Sequence, residues 1–213
     1  MKLITIIILF LISTFLISEE ACGNYLPEEG EKGSCEHVDI DASDKSSLQR
    51  GLKLYMNYCF GCHSLKYARY NRVASDLGIP EDLFQKNLLF GDQKMGDLMT
   101  IGMEISDAKE WFGVAPPDLT LESSLKGTNW LYTYLISFYI DESRPLGVNN
   151  KVYENVGMPH VLADLQGEQY SVCKQVPQTA VNGGLKQDPI SGKVISQEKC
   201  GFLEVKEGSG ELT

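Results

Sequence analysis

Basic side chains are scarce in this sequence: 19 Lys and Arg stand against 29 Asp and Glu, a formal net charge of −10. Binding a phosphate backbone needs Lys and Arg concentrated on one face, so nucleic acid drops out as a partner. An acidic surface favours encounters with a cationic protein, or serves solubility alone. Histidine is scarcer still, with three in 213 residues, so few imidazoles are available to any metal. The 8 prolines and 20 glycines fall short of the bias that marks disorder. Beyond residue 17 no apolar run approaches the roughly 20 residues that a bilayer core requires. What remains is a chain with 43% hydrophobic residues, long enough for one domain with a proper core, or one domain with an insertion.

At the N-terminus Lys2 precedes an apolar run over residues 3–17 and the acidic pair Glu19 and Glu20. Residues 1–21 therefore read as a secretory signal or an N-terminal anchor, and residues 22–43 as an acidic segment. Six cysteines fit an oxidising compartment. Cys59 and Cys62 belong to a motif treated below, which leaves Cys22, Cys35, Cys173 and Cys200 with three possible pairings. Proximity favours Cys22 with Cys35 and Cys173 with Cys200, and free buried thiols are the alternative.

Cys59-Phe60-Gly61-Cys62-His63 is the Cys-x-x-Cys-His signature of covalent haem c attachment. Two thiols three positions apart on one turn both reach the edge of a single porphyrin, and the adjacent imidazole is delivered to the iron. Upstream, Asp44, Ser46 or Ser47 can cap a helix whose apolar positions Leu48, Leu52, Tyr55, Met56 and Cys59 share one face. A dithiol redox site also uses Cys-x-x-Cys, but nothing upstream of Cys59 alternates like a strand. A zinc site would need two further ligands at metal spacing, and the other Cys and His are scattered.

The second axial ligand has few candidates. Met56 shares the helix of the attachment site and cannot reach the opposite face, while Met95, Met99 and Met103 recur at a spacing that marks a buried helix face. Met158 lies in Asn155-Val156-Gly157-Met158-Pro159-His160, where Gly157 and Pro159 mark an irregular loop that lets a thioether approach the iron. His160 is its rival and would give a lower-potential centre. Between residues 166 and 205 the pattern changes: turn signals at Asn182-Gly183-Gly184 and Pro189-Ile190-Ser191-Gly192 separate β-like runs over 170–176 and 193–205.

From about residue 38 to residue 167 the chain resembles cytochrome c1 of proteobacterial quinol–cytochrome c reductase (cytochrome bc1) complexes. The residues that carry the likeness are Ser47-Leu48-Gln49-Arg50-Gly51, Cys59 to His63, Trp111-Phe112-Gly113-Val114-Ala115-Pro116-Pro117-Asp118-Leu119, Trp130-Leu131-Tyr132-Thr133-Tyr134-Leu135, Ser143-Arg144-Pro145 and the Gly157-Met158-Pro159 loop. The first signature marks any c-type cytochrome; the Ala-Pro-Pro-Asp-Leu segment with the later Met-Pro loop is much more particular to this family.

The resemblance implies one covalently attached haem c, held by Cys59 and Cys62 and ligated by His63 and Met158. Pro116 and Pro117 would form an apolar wall of the pocket, Arg144 would take part in cofactor binding, and a helix over residues 128–140 would close the other side with Trp130, Leu131, Tyr134, Leu135 and Phe138. Relatives carry an arginine before that helix, near a haem propionate; this chain has Glu122-Ser123-Ser124-Leu125-Lys126 there, with Lys126 as a weak substitute. The fold implied is mainly α: a class I cytochrome c-like domain over residues 44–213 with a short inserted β-hairpin over 168–205, lacking the C-terminal helix and membrane anchor usual in the family. The helix face bearing Leu48, Leu52 and Tyr55 is then expected to want a partner.

The function implied is that of an electron-transfer subunit, not catalytic alone, on the periplasmic side of the inner membrane. Its partners would be cytochrome b, the Rieske iron–sulfur protein as donor and a cytochrome c as acceptor. A free-standing or dehydrogenase-linked periplasmic c-type cytochrome is the alternative, and a haem sensor with an open iron site is a third.

Overall fold

The computed structural model describes residues 21–180 and 183–211. The signal or anchor expected over 1–21 lies outside them but for Ala21, and so does Asn182 of the first turn signal. Among the described residues no helix is long and apolar enough to cross a membrane.

Helix α1, Lys45–Leu54, starts where Asp44 accepts a hydrogen bond from the Ser47 backbone N–H at 3.0 Å, satisfying one of the orphan donors of the first turn. It runs directly into one turn of π-helix, Tyr55–Cys59, so the helical path reaches the first cysteine of the motif. Strand β1, Leu65–Arg69, follows at once and pairs antiparallel with the two-residue β2, Leu98–Met99. Between them lie α2, Tyr70–Leu77, and α3, Glu81–Leu88.

Of the face bearing Leu48, Leu52 and Tyr55, the last two do have a partner, contrary to expectation, while Leu48 stays half-buried outside the cluster. Leu52, Met56 and Phe60 are buried with Tyr70 and Ala74 of α2, Phe84 of α3 and Met99 of β2, and Tyr55 packs against the same cluster. A row of rings runs through it, Tyr55 to Phe60 at 6.0 Å, Phe60 to Tyr70 at 6.2 Å and Tyr70 to Phe84 at 6.2 Å between centroids. Full burial of a side chain such as Phe84 is worth about 1.5–3 kcal/mol. The methionines at i+4 spacing are not on a helix face either. Met99 is a strand residue in this cluster and Met95 packs against it from a turn, because Gly91, Gly96 and Gly102 break the segment.

The second half of the chain begins with α4, Ile105–Phe112, and α5, Glu122–Lys126. Helix α6, Thr128–Ile136, stops four residues short of the expected end. The buried Ser137 ends it, its backbone N–H donating to the Tyr134 carbonyl, and the β-prone Phe-Tyr-Ile that follows becomes β3, Phe138–Ile140. Strand β3 pairs with β4, Val148–Asn150, through an Asp141–Gly147 turn.

After the four-residue α7, Ala163–Gln166, the antiparallel hairpin of β5, Gln169–Pro177, and β6, Ser196–Val205, closes the fold. Its strands, at 9 and 10 residues, are the longest described, so the content is mixed α and β rather than mainly α. Cys173 and Cys200 are bonded across the ladder, and Cys22 is bonded to Cys35. A second core joins the two ends of the described chain: Cys22, Tyr25 and Val152 pack with Trp130 and Tyr134 of α6 and Leu203 of β6.

Candidate haem site

The π-helical turn delivers Cys59, and its carbonyl accepts the backbone N–H of Cys62 at 3.0 Å and of His63 at 2.9 Å. That tight turn places the two thiols and the imidazole together. Four cysteines are in disulfides, and Cys59 and Cys62 are the free thiols of the described chain, both half-buried. Burial pushes the Cys59 thiol above its ordinary pKa, and the neighbouring Cys62 adds to the shift.

His63 is buried, and its Nδ1 lies 2.7 Å from the Pro117 carbonyl oxygen. A carbonyl only accepts, so Nδ1 carries the proton and donates, which leaves the lone pair on Nε2, the tautomer a metal ligand requires. Proline at 116 and 117 fixes the backbone that presents this carbonyl. Pro116 is half-buried and the Pro117 ring is exposed.

Asp118 clips the same segment to β1. Its carboxylate accepts the Lys66 backbone N–H at 2.7 Å and the Thr120 N–H at 3.1 Å. Burial raises its pKa, but hydrogen bonds from Thr120 and Lys66 more than offset this and hold the group below the usual carboxylate value. The Leu119 N–H donates to the Ser64 carbonyl at 2.9 Å, and the Ser64 hydroxyl receives the Ile101 N–H at 3.0 Å. Ser64 and Asp118 were missed as functional positions; Asp118 sits in the quoted family segment, but only the fold shows what it binds.

The Met158 loop approaches this frame from the other end. A Cβ at Gly157 would stand 2.9 Å from the Phe112 carbonyl oxygen and 3.0 Å from Val114, so only glycine lets the loop lie against the chain that leads to Pro116 and Pro117. Asn155 adopts a left-handed φ of 59°, and Arg144 donates to its side-chain oxygen at 2.9 Å. The Arg144 Nε is buried and has no hydrogen-bond partner.

Two asparagines that sequence reading overlooked shape this loop. Asn149 accepts the Asn155 N–H at 2.9 Å, and the fully buried Asn150 accepts the Val152 and Tyr153 N–H groups and the Ser137 hydroxyl while donating to the Tyr134 carbonyl. Their only sequence signal is an Asn-Asn pair directly after an apolar run.

Met158 itself is half-buried, and its Sδ lies 3.4 Å from the Tyr134 hydroxyl. Burial, with Tyr153 nearby, pushes the Tyr134 phenol up to about 12, so it is a protonated donor at neutral pH. The rival imidazoles are engaged elsewhere. His160 stacks on Phe138 at 5.1 Å and meets Gln166 at 3.2 Å, and His37 is exposed beside Asp39. Lys126 lies over the Trp130 ring at 5.2 Å. Among the described residues no group of three or more His, Cys, Asp and Glu could hold a metal ion.

The cytochrome C1 family model matches residues 37–170, well over half of the chain. The chain belongs to the cytochrome c1 family. Proteins of this family carry one covalently bound haem c. Cytochrome c1 of Allochromatium vinosum is 58% identical over 145 residues, covering 67% of this chain and 59% of the relative. The ammonia monooxygenase gamma subunit of Nitrosomonas europaea is 45% identical over 140 residues, with 66% and 59% covered. Cytochrome c1 of Rhodospirillum rubrum is 28% identical over 116 residues, with 46% and 43% covered. The chain thus spans about three fifths of the length of the first two relatives. The family match ends at residue 170, so nearly all of the β5–β6 hairpin lies past it.

The donor set suits a haem c: two free thiols in one turn, an imidazole oriented through Nδ1, a thioether on a loop, and a guanidinium Nε with no partner to receive a carboxylate.

Proposed function

We propose that this chain is the haem-bearing one-electron relay of a quinol–cytochrome c reductase of the bc1 type. It takes an electron from the Rieske iron–sulfur protein and passes it to a soluble or tethered cytochrome c, without catalysing a reaction alone. The observation that carries this reading is the His63–Pro117 hydrogen bond beside two free thiols, in a chain of the cytochrome c1 family.

In this reading Cys59 and Cys62 would hold the haem covalently, and His63 and Met158 would ligate its iron. Pro116 and Pro117 would wall the pocket, and the unpartnered Arg144 Nε would be available to donate to a haem propionate. Bound haem c supplies a one-electron Fe(III)/Fe(II) couple. With His63 and Met158 both holding the iron, the site would be suited to moving an electron rather than to binding a substrate. The domain is read as class I cytochrome c-like over residues 44–213, with the 168–205 hairpin as an insertion. An oxidising compartment, supported by the two disulfides, agrees with export to the periplasmic side of the inner membrane, on cytochrome b.

The test is expression in a host that matures c-type cytochromes, with intact-mass analysis of the exported protein. One haem mass is expected on the wild type and none on the Cys59→Ala/Cys62→Ala variant; a wild-type chain without the added mass would end the reading. Co-purification with cytochrome b separates it from a second reading, a c-type cytochrome attached to another oxidoreductase. That second reading draws on the Nitrosomonas europaea relative, an ammonia monooxygenase gamma subunit.

A further inference from the structure

The Tyr134 hydroxyl has the Met158 sulfur as its partner, at 3.4 Å. This contact is built, not incidental. The Tyr134 ring stacks on Trp130 with centroids 5.3 Å apart and planes 5° from parallel, and meets Phe138 edge-on at 5.3 Å. Its carbonyl is pinned by Asn150 and by Ser137. Neither the ring nor the backbone of Tyr134 can swing away without breaking that packing. From the other side Gly157 presses against Phe112 and Val114, and Asn155 is tied to Asn149 and Arg144.

A thioether is a weak hydrogen-bond acceptor with two lone pairs, and a metal needs one of them. We propose that Tyr134 is a positioning residue that engages one lone pair of the Met158 sulfur, presenting the other to the haem iron and raising the reduction potential of the centre. This rests on the reading of Met158 as an axial ligand. A donor on the sulfur draws electron density from it and makes it a poorer donor to ferric iron, so the ferrous state gains relative to the ferric one. The position of the sulfur is also fixed before any ligand arrives, which lowers the reorganisation needed between oxidation states.

The experiment compares haem-loaded wild type, Tyr134→Phe, Met158→Ala and the double variant by redox titration and by the weak sulfur-to-iron absorption band of the oxidised protein. Tyr134→Phe keeps the ring between Trp130 and Phe138 and removes only the hydroxyl. The expected result is a covalently loaded, folded variant with a lower midpoint potential and a displaced band. Tyr132→Phe, on the exposed face of the same helix, is expected to change neither.

In the Met158→Ala background the effect of Tyr134→Phe on the potential should vanish, because the cycle isolates the pair. Should the band disappear in Met158→Ala while Tyr134→Phe moves neither potential nor band, the ligand reading stands and the role of Tyr134 is overturned. A shift that persists in the Met158→Ala background also overturns it. Survival of the band in Met158→Ala removes the ligand reading, and the proposal with it.

Discussion

His63 and Pro117, 54 residues apart in sequence, are joined by an imidazole-to-carbonyl hydrogen bond of 2.7 Å. A side-chain acceptor would have rotamers to lose; a carbonyl held between Pro116, Pro117 and the Asp118 clip has almost none. Replacing both prolines by alanine keeps the acceptor but frees the unfolded chain, at a cost of about 0.4–1 kcal/mol per position. We expect Pro116→Ala/Pro117→Ala to retain the covalent haem while its denaturation midpoint falls, read from urea titrations of the loaded protein.

Asn150 is the larger liability. Its side chain makes four hydrogen bonds in a fully buried site, to Ser137, Val152, Tyr153 and Tyr134. Asn150→Ala leaves several of those groups without partners, each costing about 1–3 kcal/mol if it stays dry. A loss on the order of 3 kcal/mol is expected in equilibrium unfolding, together with a weakened sulfur-to-iron band, since the same residue anchors both α6 and the Met158 loop.

Asp118 gives the protein an acid limb with a fixed sign. Its folded pKa lies below the unfolded value, so its contribution to stability is complete above the ordinary carboxylate range and fades as pH falls through the folded pKa. Asp118→Asn should flatten the decline of stability on acidification relative to wild type, measured as the melting temperature against pH below neutrality. An unchanged slope would mean that the carboxylate is not held as the contacts indicate.

The Cys173–Cys200 bridge staples the hairpin across its ladder, and the loop it closes spans 27 residues of sequence. In the chain-entropy account such a bridge is worth about 3.5 kcal/mol, less any strain. Cys173→Ser/Cys200→Ser should lower the thermal midpoint of the haem-loaded protein, because the hairpin it staples meets the body through β3, the Gln169 side chain and Leu203 in the second core.

Local signals in the sequence were enough to place the attachment turn, the capped helix leading into it, the two strands of the hairpin and the pairing of the outer cysteines. Each depends on residues close together in the chain, where spacing alone specifies geometry. Even there the reach of the code was short. The π-helical turn at Tyr55–Cys59 and the break at Ser137 are decided by which carbonyl a nearby donor finds, and periodicity does not register that.

By itself, then, the sequence determined that two thiols and an imidazole stand together for a haem, and offered a loop thioether as the proposed further ligand. Tertiary structure decided how they are held. The carbonyl under His63 and the hydroxyl on Met158 come from 54 and 24 residues away, the asparagine hub ties together residues up to 16 apart, and the glycine that admits the Met158 loop answers a close backbone approach. Hydrogen bonds of that kind carry no pattern along the chain, because each becomes favourable only after packing has brought its partners together and taken water away.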